Sequence, residues 1–302
     1  MKAMGKKRTA GDLIFNIVNY MVYGLFTIIC VLPFYYLFIN TISANDLVSK
    51  GQILLTPKGI HFNNYVEILK MRGLGLAALV SVGRTVLGTA GTLIGTSFLG
   101  YALSKQEFWH RKIWYRYVVI TMYFNAGIIP WFINMKNLGL TNSFWAYVIP
   151  AIVAPFSLIL YKTYVESIPS SLEESAAMDG AGYLVRFTRI IIPLSKPILA
   201  TTAIFAAVGQ WNSFTDTLFL MTDSTKFTLQ YLLYQYMNEA NSLADSLMKM
   251  SESGVRVDMS SILTATSVKM TVSMVVVLPI LFVYPFFQRF FVNGIMIGSV
   301  KG

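Results

Sequence analysis

Residues 168–201 read IPSSLEESAAMDGAGYLVRFTRIIIPLSKPILAT, a stretch that is polar at its start, rich in small residues and flanked by long apolar segments. The hydroxyls of Ser170 and Ser171 predict a helix start, because they can cap free backbone N–H groups. The carboxylates of Glu173 and Glu174 suit the positive end of that helix. Gly180 predicts its end, in a left-handed conformation. A helix of about two and a half turns is marginal in water, so we expect packing to hold it.

The composition places the chain in the membrane. Of 302 residues, 55% are hydrophobic and only 13% are charged, and the mean hydropathy is +0.58, which is too apolar for a typical soluble domain. The net charge of +10 does not indicate nucleic-acid binding, because the cations lie in short segments between apolar runs. A single cysteine, Cys30, excludes an intrachain disulfide, and the isolated His61 and His110 give no metal-site pattern.

The apolar runs predict an all-α integral membrane protein with six transmembrane helices. The predicted spans are 13–40, 74–103, 117–135, 142–165, 197–220 and 270–291. They lie in a permease domain of 13–292, between a cytoplasmic N-terminus (1–12) and a cytoplasmic tail (293–302), with a cytoplasmic loop at 166–196 and an extracellular loop at 221–269. A short helix over 64–69 and an amphipathic helix over 229–250 are expected outside the membrane.

The orientation follows from the distribution of Lys and Arg. With the N-terminus inside, these residues are denser in the inner segments than in the outer ones, as the positive-inside rule requires. The loop 166–196 is therefore expected in the cytoplasm, together with both termini.

Polar and small residues within the spans predict packing and a pathway. The second span carries six glycines, including Gly91 and Gly95 four residues apart, so we expect it to pack closely inside the bundle. Arg84 in the same span is expected to snorkel to the interface or, alternatively, to face a polar cavity. Polar side chains at membrane depth need partners in the bundle or in a wet cavity. The candidate substrate-path residues are Asn125, Gln210, Trp211 and Asn212; the alternatives are a helix break at Asn125 and an interfacial anchor at Trp211.

The polar loop carries a family resemblance. Glu174-Ser175-Ala176, then Gly180, and then Ile190, Ile192 and Pro193 resemble the EAA loop of ATP-binding-cassette (ABC) importer membrane subunits, with Ser175 and Ile192 departing from the commonest residues. The resemblance implies a type I importer fold of the MetI-like kind, in which a coupling helix docks into a separate ATPase. The residues it assigns to docking are Glu174, Ser175, Ala176, Asp179 and Gly180.

The resemblance extends over most of the chain. Six spans, the Trp211-Asn212 pair and the tail from Asn293-Gly294 to Gly302 are similar to the MalG-type carbohydrate (CUT1) permeases. GIIPWFINMKNLGLTNSFWAYVIP (127–150) and SILTATSVKM (261–270) are similar to permeases of the LplC and YtcP kind, which implies complex or uronic-acid-containing oligosaccharides. The implied partners are a second homologous permease, two ABC ATPases and an extracellular solute-binding protein, in a bacterial plasma membrane.

The sequence also lacks a nucleotide site. No GxxxxGK[ST] loop occurs, so ATP and Mg²⁺ are expected on the partner ATPases and no cofactor on this chain. No nucleophile-and-base constellation is present, so we predict a transport subunit rather than an enzyme. Two other readings remain open at this point: a permease for another small solute such as amino acids, and a secondary transporter that needs no ATPase.

Overall fold

The computed structural model describes residues 10–70, 73–252 and 267–282, and within these ranges the regular structure is entirely helical. The helices are α1 Ala10–Thr41, α2 Asn45–Ser49, α3 Asn63–Leu69, α4 Leu74–Ser104, α5 Arg111–Tyr123, α6 Ile128–Asn137, α7 Pro155–Glu166, α8 Ser170–Met178, α9 Tyr183–Arg186, α10 Ile192–Leu194, α11 Lys196–Asn212, α12 Thr215–Leu220, α13 Leu229–Glu252 and α14 Ser267–Phe282. Short 3-10 turns lie at Phe144–Tyr147, Ile149–Ala151 and Ser224–Lys226, and a π-turn at Phe187–Ile191.

The chain divides into two compact units, one formed by the described parts of 1–70 and 236–275 and the other by those of 71–235 and 276–302. In the first unit, α1 is long and apolar, with exposed large side chains along most of its length, as expected for a helix surrounded by lipid. The loop that follows α1 forms hydrogen bonds with its C-terminal end. Asn64 Nδ2 donates to the Thr41 carbonyl at 3.0 Å, and Tyr65 shares a 2.7 Å hydroxyl hydrogen bond with Thr41. The predicted helix over 64–69 is confirmed as α3.

In the second unit, α4 is the central element and packs against α7 and α11. Its glycines permit this approach. A Cβ added to Gly95 would lie 2.4 Å from the Ile152 carbonyl oxygen, and one added to Gly88 would lie 2.5 Å from Gln210 Nε2. The expectation that the glycines of this span serve close helix packing is therefore confirmed.

Gly95→Ala is expected to destabilise the protein by about 1–3 kcal/mol, because the added methyl group meets a backbone atom and the two elements must separate. The measurement is thermal unfolding of the detergent-solubilised protein. Gly75→Ala in the same helix is the control, since a Cβ at Gly75 has no neighbour within 4 Å. Equal melting temperatures for the two variants would contradict the packing role of Gly95.

Three predicted spans are interrupted. The third, 117–135, is divided between α5 and α6 at residues 124–127, where Gly127 has a φ of +88° and its N–H donates to Asn125 Oδ1 at 2.9 Å. The fourth, 142–165, begins as 3-10 turns before α7, since Pro150 and Pro155 remove helical N–H donors. The fifth, 197–220, breaks between α11 and α12.

By length and hydropathy, three helical segments in the described ranges could each cross a membrane: 10–41, 74–104 and 144–166. A fourth exists if 183–194 and 196–212, bent by 79°, are counted as one span. The predicted helix over 229–250 is confirmed as α13. The sixth predicted span is described only to Phe282, and residues 283–291, the tail 293–302 and most of the segment 261–270 lie outside the described residues.

Candidate functional site

The polar loop forms the short helix predicted for it. α8 spans Ser170–Met178, and Gly180 follows in the left-handed region at φ +81°. The N–H of Ala181 donates to the Ala176 carbonyl at 2.9 Å and that of Gly180 to the Ala177 carbonyl at 3.0 Å. These two bonds are the Schellman pattern, which satisfies carbonyls that a helix end otherwise leaves unpaired. The predicted end of the helix at Gly180 is confirmed.

The start of α8 differs from the prediction. Pro169 occupies the N-cap position, and among the described residues no side chain caps the helix start. The Ser175 hydroxyl donates to the Ser171 carbonyl at 2.8 Å instead. The expectation that the hydroxyls of Ser170 and Ser171 cap the helix was therefore wrong. Pro169 occupies the N-cap position, where a serine was expected.

The two adjacent acidic residues of α8 have different environments. Glu173 points back to the C-terminal end of α4, where its carboxylate accepts from the Tyr101 hydroxyl at 2.9 Å and pairs with Lys105. Glu174 is exposed. One carboxylate thus fixes the helix to the bundle, and the other is free to meet a partner.

The outer surface of α8 is open. Of the predicted docking residues, Glu174, Ser175, Asp179 and Gly180 are exposed and Ala176 is half-buried. Met178 beside them is 89% exposed, and Leu184 in the following turn is 66% exposed. Exposed large apolar side chains next to polar ones are typical of a protein–protein contact surface.

The segment after α8 is anchored by aromatic and aliphatic packing. Phe187 and Ile191, in the π-turn, are buried against Tyr101 of α4 and Tyr161 and Val165 of α7. The Tyr101 and Phe187 rings lie 5.0 Å apart between centroids. The loop that carries α8 is therefore attached both to α4 and to α7.

A second polar site lies within the bundle, around Arg84. This side chain is 2% exposed. It donates to both oxygens of Asp216, from Nη2 at 2.6 Å and from Nη1 at 3.0 Å, and from Nε to Gln210 Oε1 at 3.1 Å. Its guanidinium carbon lies 4.4 Å above the centre of the Tyr147 ring. Of the two expectations for Arg84, snorkelling was wrong and a polar cavity is confirmed, because a carboxylate from α12 pairs with it inside the bundle.

The break between α11 and α12 explains why Arg84 is bound there. α11 ends at Asn212, and the Ser213 carbonyl, left free at the helix end, accepts from Arg84 Nη1 at 3.2 Å. Asp216 lies in the first turn of α12 and also accepts from the Thr217 N–H at 2.9 Å. The Arg84 cation is favourably placed at the negative C-terminal end of α11, and the Asp216 carboxylate is favourably placed at the positive N-terminal end of α12.

The four predicted path residues do not form one cluster. Gln210 is buried, accepting from Arg84 and donating from Nε2 to the Tyr147 carbonyl at 3.1 Å. Trp211 Nε1 donates to the Val276 carbonyl at 3.0 Å. Asn212 is exposed, and Asn125 stabilises its own loop.

A cavity of about 400 Å³ opens beside the Arg84 cluster. Of the four path residues, only Gln210 is among the side chains that line it. Its principal lining residues are Arg84, Trp131, Tyr147, Phe205, Gln210 and Asp216. The sequence signals that pointed here were the polar run after Gln210 and the lone Arg84, but nothing in the sequence joined them or indicated Tyr147.

Comparison with known proteins gives consistent results. The family described as "Binding-protein-dependent transport system inner membrane component" matches residues 3–297. The chain is 35% identical to the polygalacturonan/rhamnogalacturonan transport system permease protein YtcP of Bacillus subtilis, over 95% of this chain and 99% of that protein. It is 34% identical to protein LplC of the same organism, over 97% of each chain. A solved bacterial ABC transporter involved in the import of the acidic polysaccharide alginate contains a similar chain, with a TM-score of 0.80, 31% identity and coverage of 95% and 99%.

Proposed function

This chain belongs to the family of binding-protein-dependent transport system inner membrane components, and from that premise we propose that it is the membrane-spanning permease subunit of an ATP-driven carbohydrate importer. The observation that carries the proposal is the exposed helix α8, held to the end of α4 by Glu173 and ending in a left-handed glycine. This arrangement suits a helix that transmits a movement from another protein. The outer face of α8 is exposed for contact with that protein, and its inner face is bonded to α4.

The carbohydrate is proposed to be an oligosaccharide. Support comes from the relatives, one described as a polygalacturonan/rhamnogalacturonan transport permease and another contained in an alginate importer. Within this chain, the ring of Trp131 lines the cavity beside Arg84, and aromatic faces suit sugar rings. Asn125, Gln210, Trp211 and Asn212 stay proposed as path residues, with Gln210 supported by its place in the cavity lining.

The assembly is proposed to contain a second homologous permease, two ABC ATPases that bind ATP and Mg²⁺, and an extracellular solute-binding protein. We propose six spans, with both termini and α8 on the cytoplasmic side of a bacterial plasma membrane. In this arrangement α5 and α6 form one interrupted span, and so do α11 and α12. Breaks in spans are tolerated where neighbouring side chains satisfy the freed backbone groups, as Arg84 does at Ser213.

The proposed mechanism is alternating access. ATP-driven closure of the ATPases would draw α8 and its counterpart in the second permease together, and the spans would rotate to open the cavity outward. Docking is assigned to Glu174, Ser175, Ala176, Asp179 and Gly180. Since Glu173 and the Phe187–Ile191 turn attach this loop to α4 and α7, those helices would carry the motion into the membrane.

The test is retention of the ATPase by the purified chain. Glu174→Arg is expected to lower the amount of co-purified ATPase by roughly tenfold or more, because an exposed charge at an interface centre is reversed. Glu67→Arg is the control, since Glu67 is also an exposed acidic residue on a short helix but lies in α3. Undiminished ATPase in the Glu174→Arg preparation would contradict the docking role of α8. An absence of ATPase from the unsubstituted preparation would favour a secondary transporter.

A further inference from the structure

A basic cavity lies between α5 and α7, apart from both sites described above. Its volume is about 760 Å³. Four of its polar lining residues can carry positive charge. The polar and aromatic side chains that line it are Gln106, His110, Arg111, Lys112, Tyr115 and Lys162.

The charges in this cavity are unbalanced. Glu166 is shared by two cations, with Arg111 Nη2 at 2.5 Å and Lys162 Nζ at 2.8 Å. Lys112 is exposed and makes no ion pair with any residue in the described part of the chain. Glu107, in the same loop, lines a different cavity. Arg111, Lys112 and Lys162 therefore line a cavity with one carboxylate beside them, and this excess of basic side chains attracts an anion.

One of these cations is held where water has little access. Lys162 is 8% exposed, and its Nζ lies 4.5 Å from the centre of the Tyr115 ring. Within the described residues, Lys162 forms an ion pair with Glu166 alone and shares it with Arg111, so Lys162 can also attract an anion such as a phosphate.

Apolar side chains continue from this cavity along α5. Ile113, Tyr117 and Ile120 are spaced for one helix face and are about three-fifths exposed, at 60%, 61% and 63%. Trp109, in the loop before α5, is 71% exposed, and tryptophan is enriched where a membrane meets water. The ligand that fits is an amphiphile, with an anionic head at the cations and a hydrocarbon chain along α5.

The membrane face follows from the contacts of the neighbouring segments. Lys105, at the end of α4, pairs with Glu173 of α8, and Glu166 ends α7 just before α8 begins. The basic cavity therefore lies on the same side of the membrane as α8. The assignment of that side to the cytoplasm rests on the proposed function. Basic pockets between transmembrane helices on that side are suited to lipid head groups.

We propose that this cavity, lined by Arg111, Lys112 and Lys162, binds the phosphodiester head group of an anionic phospholipid of the inner leaflet. Arg111 and Lys112 contact the phosphate from the start of α5, and Lys162 contacts it from α7. A lipid bound in this way joins α5 to α7 next to the loop that carries α8.

The test compares two lipids on the full chain, purified in detergent with its partner subunits. Phosphatidylglycerol and phosphatidylcholine with identical acyl chains are added, and retained lipid is counted by native mass spectrometry. Phosphatidylglycerol is expected to be retained and phosphatidylcholine not.

In Arg111→Gln/Lys112→Gln, retention of phosphatidylglycerol is expected to fall on the order of tenfold, since each cation near the head group contributes to binding. Lys112→Gln alone breaks no described ion pair and is expected to lower retention severalfold, with unchanged melting temperature. Lys58→Gln/Lys136→Gln, at two exposed lysines elsewhere, is the control and is expected to retain lipid normally.

Equal retention of the two lipids would overturn the proposal, and so would full retention by Lys112→Gln and the double variant. Displacement of phosphatidylglycerol by millimolar inorganic phosphate would show a site for free anions instead. A crosslink from residue 112 to an ATPase subunit would show that protein, not lipid, covers the cavity. Because lipid retention is measured without transport, its failure with the ATPase still bound overturns the lipid site and leaves the proposed function standing.

Discussion

Asp216→Ala is expected to destabilise the folded protein by about 3–5 kcal/mol, since it leaves the Arg84 guanidinium buried without a counter-charge. Arg84 is 2% exposed, so little water reaches it in the folded protein. Gln210 and the Ser213 carbonyl would remain as neutral acceptors, which cannot compensate a full positive charge. The measurement is unfolding of the solubilised protein by heat or by a denaturing detergent.

Two further variants separate charge from packing. Arg84→Met/Asp216→Leu replaces the buried pair with apolar side chains and is expected to recover most of the lost stability. Lys226→Met is the control, because it breaks an ion pair between Lys226 and Asp223, two side chains that are each about one-third exposed. It is expected to leave the melting temperature near that of the unsubstituted protein. If Asp216→Ala melts no lower than Lys226→Met, Arg84 does not depend on Asp216.

Glu173→Ala is expected to lower transport by tenfold or more in reconstituted importer while ATP hydrolysis continues. The substitution removes the carboxylate that joins α8 to Tyr101 and Lys105, so α8 can follow the ATPase without moving α4. Breaking a largely buried pair of this kind is worth about 3 kcal/mol, more than the 1.4 kcal/mol that changes an equilibrium tenfold. The measurement is the ratio of solute imported to ATP hydrolysed.

The matched control is Glu107→Ala, which removes an exposed acidic residue near Lys105 that forms no ion pair in the described ranges. It is expected to keep the unsubstituted ratio. Retention of the ATPase must also be normal in Glu173→Ala, since Glu173 points toward α4 and away from the exposed face of α8. An unchanged ratio of solute imported to ATP hydrolysed in Glu173→Ala would mean that the apolar contacts of Phe187 and Ile191 are sufficient to move the spans.

Features set by local chemistry could be predicted from the sequence. The end of α8 at Gly180 follows from the conformational freedom of glycine, and the interior position of α4 follows from its small residues. α3 and α13 were also predicted close to their observed bounds. In each case the determining residues are neighbours in the sequence.

Features set by distant partners could not be predicted. Arg84 and Asp216 are 132 positions apart, so the sequence showed an isolated arginine and an isolated polar run but not their contact. Glu173 and Glu174 have identical side chains, and only the position of Lys105, 68 positions away, decides which of them faces the bundle. The division of the third span is different, because its hydrogen bond is local and a helix break at Asn125 was one of the alternatives that the sequence offered.

Two charged residues, Arg84 in α4 and Lys105 at its C-terminal end, lie on either side of the close approach at Gly95. At about 1.5 Å per residue, Arg84 lies roughly 16 Å from Gly95 on one side, and Lys105 lies about 15 Å from it on the other. Gly95 lies closer to the Ile152 carbonyl than a side chain at this position would allow. We therefore expect α4 to pivot at Gly95 when it tilts. A tilt about that point moves Arg84 and Lys105 by nearly equal amounts in opposite directions.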